Sequence, residues 1–94
     1  MPNRVILAPM SGVGDRAFRE IAAEAGAGMV VSEMIASDAL ARGEPESVIR
    51  AERAGAGPHV LQLAGREARW MAEGARAATG AGADIIDVNM GCPA

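Results

Sequence analysis

Short aliphatic runs alternate with stretches of helical periodicity along the 94 residues of the chain. Four runs, at residues 5–10, 29–34, 59–63 and 84–89, are rich in aliphatic and β-branched side chains and read as strands. Their nearly continuous apolar character, in place of strict alternation, suits parallel strands covered on both faces. Between the first two runs, Phe18, Ile21, Ala22 and Ala25 fall at i, i+3, i+4 and i+7, one apolar face of a helix over residues 15–25. Asp15 is placed to cap that helix and Gly26 to end it in the left-handed conformation. Trp70, Met71, Gly74, Ala75 and Ala78 repeat the helical pattern between the last two runs, and Gly80 and Gly82 stop it. The stretch 35–58 is less regular. There Ile35, Ala39 and Leu40 suggest a short helix, Val48 and Ile49 another, and Ala54-Gly55-Ala56-Gly57-Pro58 a flexible connector.

This βα repetition requires a parallel sheet with right-handed crossovers. An open doubly wound sheet and the first half of a (β/α)₈ barrel both satisfy it. The strand ends separate the two. Polar or special residues gather where the runs finish: Met10-Ser11-Gly12, Ser32-Glu33-Met34, Gln62 and Asn89-Met90-Gly91-Cys92. In a barrel those ends converge on one mouth, where active sites are built. Neither a Gly-x-Gly-x-x-Gly turn nor a Gly-Lys-Ser/Thr phosphate loop follows any strand. The expectation is an α/β fold, the N-terminal half of a TIM barrel with about four parallel strands, with residues 1–94 forming part of one catalytic domain.

Composition narrows the chemistry. Half the residues are apolar, yet there is one Trp, one Phe and no Tyr, so the core is aliphatic and finely divided. Twelve acidic residues against nine basic ones leave a net charge of -3, and every basic residue is Arg. That excludes a basic tail or stripe and with it an autonomous nucleic-acid binder, though not a nucleic-acid substrate held mainly by another part of a larger protein. A single cysteine makes no internal disulfide and is a candidate reactive thiol. The apolar runs are too short to span a bilayer and no signal peptide is evident, so a cytoplasmic location without membrane contact is expected.

Four segments then carry a resemblance. They are Leu7-Ala8-Pro9-Met10-Ser11-Gly12-Val13 with Asp15 and Phe18-Arg19; Gly26-Ala27-Gly28 leading into Val31-Ser32-Glu33-Met34; Gln62-Leu63-Ala64-Gly65; and the run from Gly82 through Asp87-Val88-Asn89-Met90-Gly91-Cys92-Pro93-Ala94. In this order and spacing the chain resembles the flavin-dependent tRNA-dihydrouridine synthases, closest to the bacterial B-type branch. The resemblance implies FMN at the barrel mouth, with Pro9, Met10 and Ser11 against the flavin and Gln62 on its isoalloxazine. It places Asn89 near flavin and substrate base and makes Cys92 the proton donor. It implies NADPH as the reductant of the flavin and tRNA as the substrate, held through a C-terminal helical domain that this chain lacks. A lysine and a histidine that hold the flavin would also lie after Ala94, and the chain has no lysine, so the isolated chain is expected to bind FMN poorly and to be inactive. Gly14 stands where that family usually has Thr, and Ala17 where Pro is common.

Plainer readings stand beside these. Taken alone, Cys92 would be a small buried hydrophobe, and Gln62 would satisfy a neighbouring backbone group. Glu33 is either a mouth residue or the partner of an arginine. His59 reads as a solvated loop residue, Trp70, Met34 and Met71 as packing, and the mixed charges of residues 42–53 as a solvated face. Two other functions fit the fold: a dihydroorotate dehydrogenase-like FMN barrel, and a non-catalytic half-barrel that self-associates through exposed sheet edges.

Overall fold

A computed structural model describes residues 3–90. In chain order it contains β1 (Ile6–Leu7), α1 (Arg16–Glu24), β2 (Met29–Val31), β3 (Ile35–Ala36), α2 (Ser37–Ala41), α3 (Pro45–Arg50), β4 (His59–Ala64), α4 (Ala68–Gly80) and β5 (Ile85–Val88). The helix expected at residues 15–25 is α1. Its first turn is capped by Asp15, whose Oδ1 accepts the Phe18 N–H at 2.8 Å, and Gly26 follows its end at φ 111°. No helix among the described residues is long and apolar enough to cross a membrane.

Every strand pairing is parallel. Along β4, β2 pairs Val31 with Val60, and β3 pairs Ile35 with Leu63. Three residues of one strand, Ser32-Glu33-Met34, thus oppose two of the other, Leu61 and Gln62. The extra residue is a bulge. Since β5 holds one edge of β4 as far as Leu63, β3 must lie on the edge that β2 holds. β2 and β3 are therefore one interrupted strand, and the four tracks lie in chain order: β1, β2/β3, β4, β5. Ser32 repairs the ladder at the interruption. Its N–H donates to the Val60 carbonyl at 3.1 Å, and its hydroxyl accepts the Gln62 N–H at 2.9 Å while donating to the Glu33 carbonyl.

Three expectations change. Ile35 belongs to a strand, and the helix begins at Ser37. The first strand is shorter than residues 5–10: Pro9 has no N–H to donate, and from Met10 the chain turns, with the Val13 and Gly14 N–H groups both on the Met10 carbonyl. His59 is buried at the start of β4.

Side chains alternate across β4, so Leu61 and Leu63 face the helices and Val60, Gln62 and Ala64 the opposite side. The helix side is the core, where Leu61 and Leu63 pack with Ile35, Leu40, Ala51 and Ala78. Helices α2 and α4 approach closely because position 74 is Gly. A Cβ there would lie 2.6 Å from the Ser37 Cβ and 2.9 Å from its Cα.

Candidate active site at the strand ends

Parallel pairing brings the carboxyl ends of all strands to one side of the molecule. On β4 and β5, Gln62 and Asp87 are direct register partners, and Gln62 Nε2 donates to Asp87 Oδ2 at 2.7 Å. Asn89 follows one residue beyond β5. Its Nδ2 donates to Gln62 Oε1 at 3.3 Å and approaches the Met34 sulfur at 3.6 Å. Gln62 is buried, whereas Asp87 and Asn89 are half-buried. Beside this cluster opens a cleft of about 300 Å³, lined among others by Met34, Ala36, Ala64, Gly65, Arg66 and Asn89.

The loop after β1 forms the other part of the mouth. It is held from below by Glu33, a residue of the bulge. The Glu33 Oε1 accepts the Gly12 N–H at 3.0 Å, and its Oε2 lies 3.8 Å from Arg50 Nε. Gly12 takes φ 79°, a conformation that favours glycine. Arg19, fully buried, closes the loop by donating to the Gly14 carbonyl at 3.1 Å and to the Arg50 carbonyl at 3.2 Å. Burial pushes its guanidinium below the ordinary arginine value, and nearby carboxylates, Glu33 first, oppose that shift. Both alternatives for Glu33 are thus true together: it sits at the mouth and it faces an arginine. Its sequence signal was a lone carboxylate inside an apolar run.

The comparison with known families decides what this arrangement belongs to: the dihydrouridine synthase (Dus) profile matches residues 6–94. This chain belongs to the dihydrouridine synthase family. It is 62% identical over 92 residues to the probable tRNA-dihydrouridine synthase of Rhizobium leguminosarum bv. phaseoli, covering 98% of this chain and 29% of that protein. It is 48% identical over 95 residues to tRNA-dihydrouridine synthase B of Pseudomonas aeruginosa, covering 100% of this chain and 29% of that protein. With tRNA-dihydrouridine synthase B of Vibrio vulnificus it shares 44% identity over 95 residues, covering 100% of this chain and 30% of the relative. The chain spans about three tenths of the length of these relatives. The dihydrouridine synthase fold is a TIM barrel, and the four tracks with their helices are an amino-terminal part of it.

Within this dihydrouridine synthase segment, Gln62 and Asn89 are brought together from positions 27 residues apart. Pro9, Met10 and Ser11 lie in the loop after β1, on a track two strand spacings from β4, roughly 10 Å. Met10 and Ser11 are exposed there and Pro9 half-buried. Cys92 lies outside the described residues. Gly14 stands in a packed place, since a Cβ would meet the Met10 carbonyl oxygen at 3.3 Å. His59 stands at the opposite end of β4, where its Nε2 donates to the Ala51 carbonyl at 2.9 Å. Burial pushes the imidazole below its ordinary value. Asp87, which sequence reasoning left out of the site, joins it by pairing in register with Gln62.

Proposed function

We propose that this chain supplies the amino-terminal part of the catalytic mouth of an enzyme that reduces specific uridines of tRNA to 5,6-dihydrouridine. In this reading FMN is the cofactor, NADPH its reductant and the cytoplasm its location. The observation that carries the proposal is the meeting of Gln62 and Asn89 at 3.3 Å beside an open cleft at the strand ends. The family match favours this reading over a dihydroorotate dehydrogenase-like one.

The residues fit a flavin ring. Two neutral amides present both donors and acceptors, which suits the heteroatom edge of a pyrimidine-like ring system, and Met34 with Ala64 and Gly65 supplies an apolar wall without bulk. When bound, FMN supplies the hydride for C6 of the uracil. The chain does the rest of the work assigned here. Pro9, Met10 and Ser11 flank the ring, Gln62 hydrogen-bonds its edge, and Asn89 orients flavin and base. Cys92 holds the proton destined for C5, as a thiol with an unperturbed pKa of about 8.5 is mostly protonated near neutrality.

The test is a chimera in which residues 6–94 replace the matching segment of the Rhizobium leguminosarum relative. It is incubated with NADPH and tRNA from cells lacking dihydrouridine, and the nucleosides are read by mass spectrometry. We expect a yellow protein that forms dihydrouridine, and a Cys92→Ala variant that keeps the flavin and loses the product. A colourless, inactive chimera beside an active parent overturns the proposal. The 94-residue chain alone is expected to show no turnover.

One observation favours a second property of the free chain. The two outer strands expose large apolar side chains, Ile6 on β1 and Ile85 and Val88 on β5, so the chain alone is expected to self-associate through its sheet edges.

A further inference from the structure

Asp87 is a half-buried carboxylate whose hydrogen-bond partner is a neutral amide, in a chain with nine arginines. Among the described residues no arginine lies within ion-pair distance of it, whereas the exposed Asp84 three residues earlier does pair with one, Arg53. Charge neutralisation is therefore not what Asp87 does. A carboxylate can only accept, so the edge of Gln62 that faces Asp87 Oδ2 at 2.7 Å must be its amide nitrogen. Gln62 Oε1 then faces Asn89, and the edge of Asn89 that meets it at 3.3 Å must be nitrogen too. One acceptor-only group thus sets the direction of Gln62, and that direction agrees with the Asn89 Nδ2 contacts to Gln62 Oε1 and to the Met34 sulfur. The strand register makes this possible, because Gln62 and Asp87 are opposed residues on one face of adjacent strands.

We propose that Asp87 is a positioning residue that fixes which way round the Gln62 amide stands at the mouth, and with it the oxygen that Asn89 meets. The inference rests on the reading above that these two amides serve the flavin and the substrate base. With one Gln62 amide hydrogen committed to Asp87 and one Oε1 lone pair to Asn89, the second N–H and the second lone pair are what Gln62 would have left for a ligand. An asparagine at position 87 would present either edge, and Gln62 would then lose the acceptor-only partner that fixes which way round its amide stands.

The experiment uses the chimera and two readouts. In ¹⁵N-labelled apoprotein, the side-chain amide pair of Gln62, assigned by its absence in Gln62→Met, is expected to show one proton shifted well downfield by the carboxylate. A Gln62 pair at ordinary positions in the unmutated protein overturns the proposal whether or not any variant folds. FMN titration is the second readout. Asp87→Asn is expected to weaken FMN about tenfold, the loss of one charge-assisted hydrogen bond, and Asp87→Glu to recover part of that affinity. In a Gln62→Met background, Asp87→Asn should have little further effect. Unchanged FMN affinity in Asp87→Asn, or a tenfold effect that persists without Gln62, overturns the proposal. If the unmutated chimera binds no FMN, the flavin reading falls, and the amide spectrum alone decides the role of Asp87.

Discussion

Strands β4 and β5 are neighbours, read alike as aliphatic runs, and share a register, yet they meet opposite fates. Val60 on β4 is 1% exposed and its partner Ile85 on β5 is 45% exposed. Three residues on, and on the other face of the sheet, Leu63 is 1% exposed and its partner Val88 is 52% exposed. The difference lies in the neighbours. β4 has a strand along each edge and helices against one face, whereas β5 pairs only with β4 among the described residues. Apolar content states that a side chain gains by leaving water, and only the surrounding elements determine whether it does so.

The sharpest way to break this comparison is to shorten one residue on each strand. Leu61→Ala, which opens a cavity in the completed core, is expected to cost about 3 kcal/mol, whereas Val88→Ala should cost less than about 1 kcal/mol. Urea denaturation of the two variants under one condition checks the difference, and equal losses would mean that β5 is as well covered as β4.

A smaller effect, on helix α4, separates a filled position from an empty one. Gly74→Ala would drive its Cβ against Ser37, much of it backbone, and should destabilise by about 1–3 kcal/mol. Gly80→Ala in the same helix meets nothing within 4 Å and should be neutral or stabilising by up to about 1 kcal/mol. The two melting curves should move in opposite directions or differ clearly.

The foot of β4 adds a pH dependence. His59 is held neutral by burial, so its folded pKa lies below the unfolded value of about 6.5. Its contribution is complete above pH 6.5 and is lost as the pH falls below that value, because the unfolded chain then binds a proton that the folded one does not. The urea midpoint should therefore fall between pH 7.5 and roughly 5.5, and the fall should shrink in His59→Gln. Asp84 does not blur this window: its carboxyl is held below the ordinary value by the His59 N–H and Arg53, so its contribution is lost only in stronger acid.

The smallest change in stability is expected at the sheet edge. Val88→Lys should shift the melting temperature little while reducing self-association of the free chain, read as mass by light scattering. Unchanged association would place the contact elsewhere.

Much of this was legible beforehand. The α1 helix was announced by its i, i+3, i+4 spacing and by Asp15 and Gly26 at its ends, and β4 by a nearly continuous apolar run. Those signals are local, and backbone geometry enforces them within a few residues. The bulge at Ser32-Glu33-Met34 was not legible, because it exists only as a mismatch of three residues against two across a partner strand. Ile35 satisfied a helical spacing with Ala39 and Leu40 as well as it satisfied a strand. His59 could not be placed because a histidine at a strand start is buried or solvated according to what packs over it, here the carbonyl of Ala51.

By itself, then, the sequence determined most of the periodic elements and the parallel βα plan, and through a resemblance it offered Pro9, Met10, Ser11, Gln62, Asn89 and Cys92 as candidate site residues. Only the tertiary structure decided that Glu33 reaches Gly12 across 21 residues and that Asp87 meets Gln62 across 25. Element type follows from short-range backbone preferences carried in each stretch, while the meeting of polar groups depends on register, bulge and burial, which arise only when distant stretches pack together.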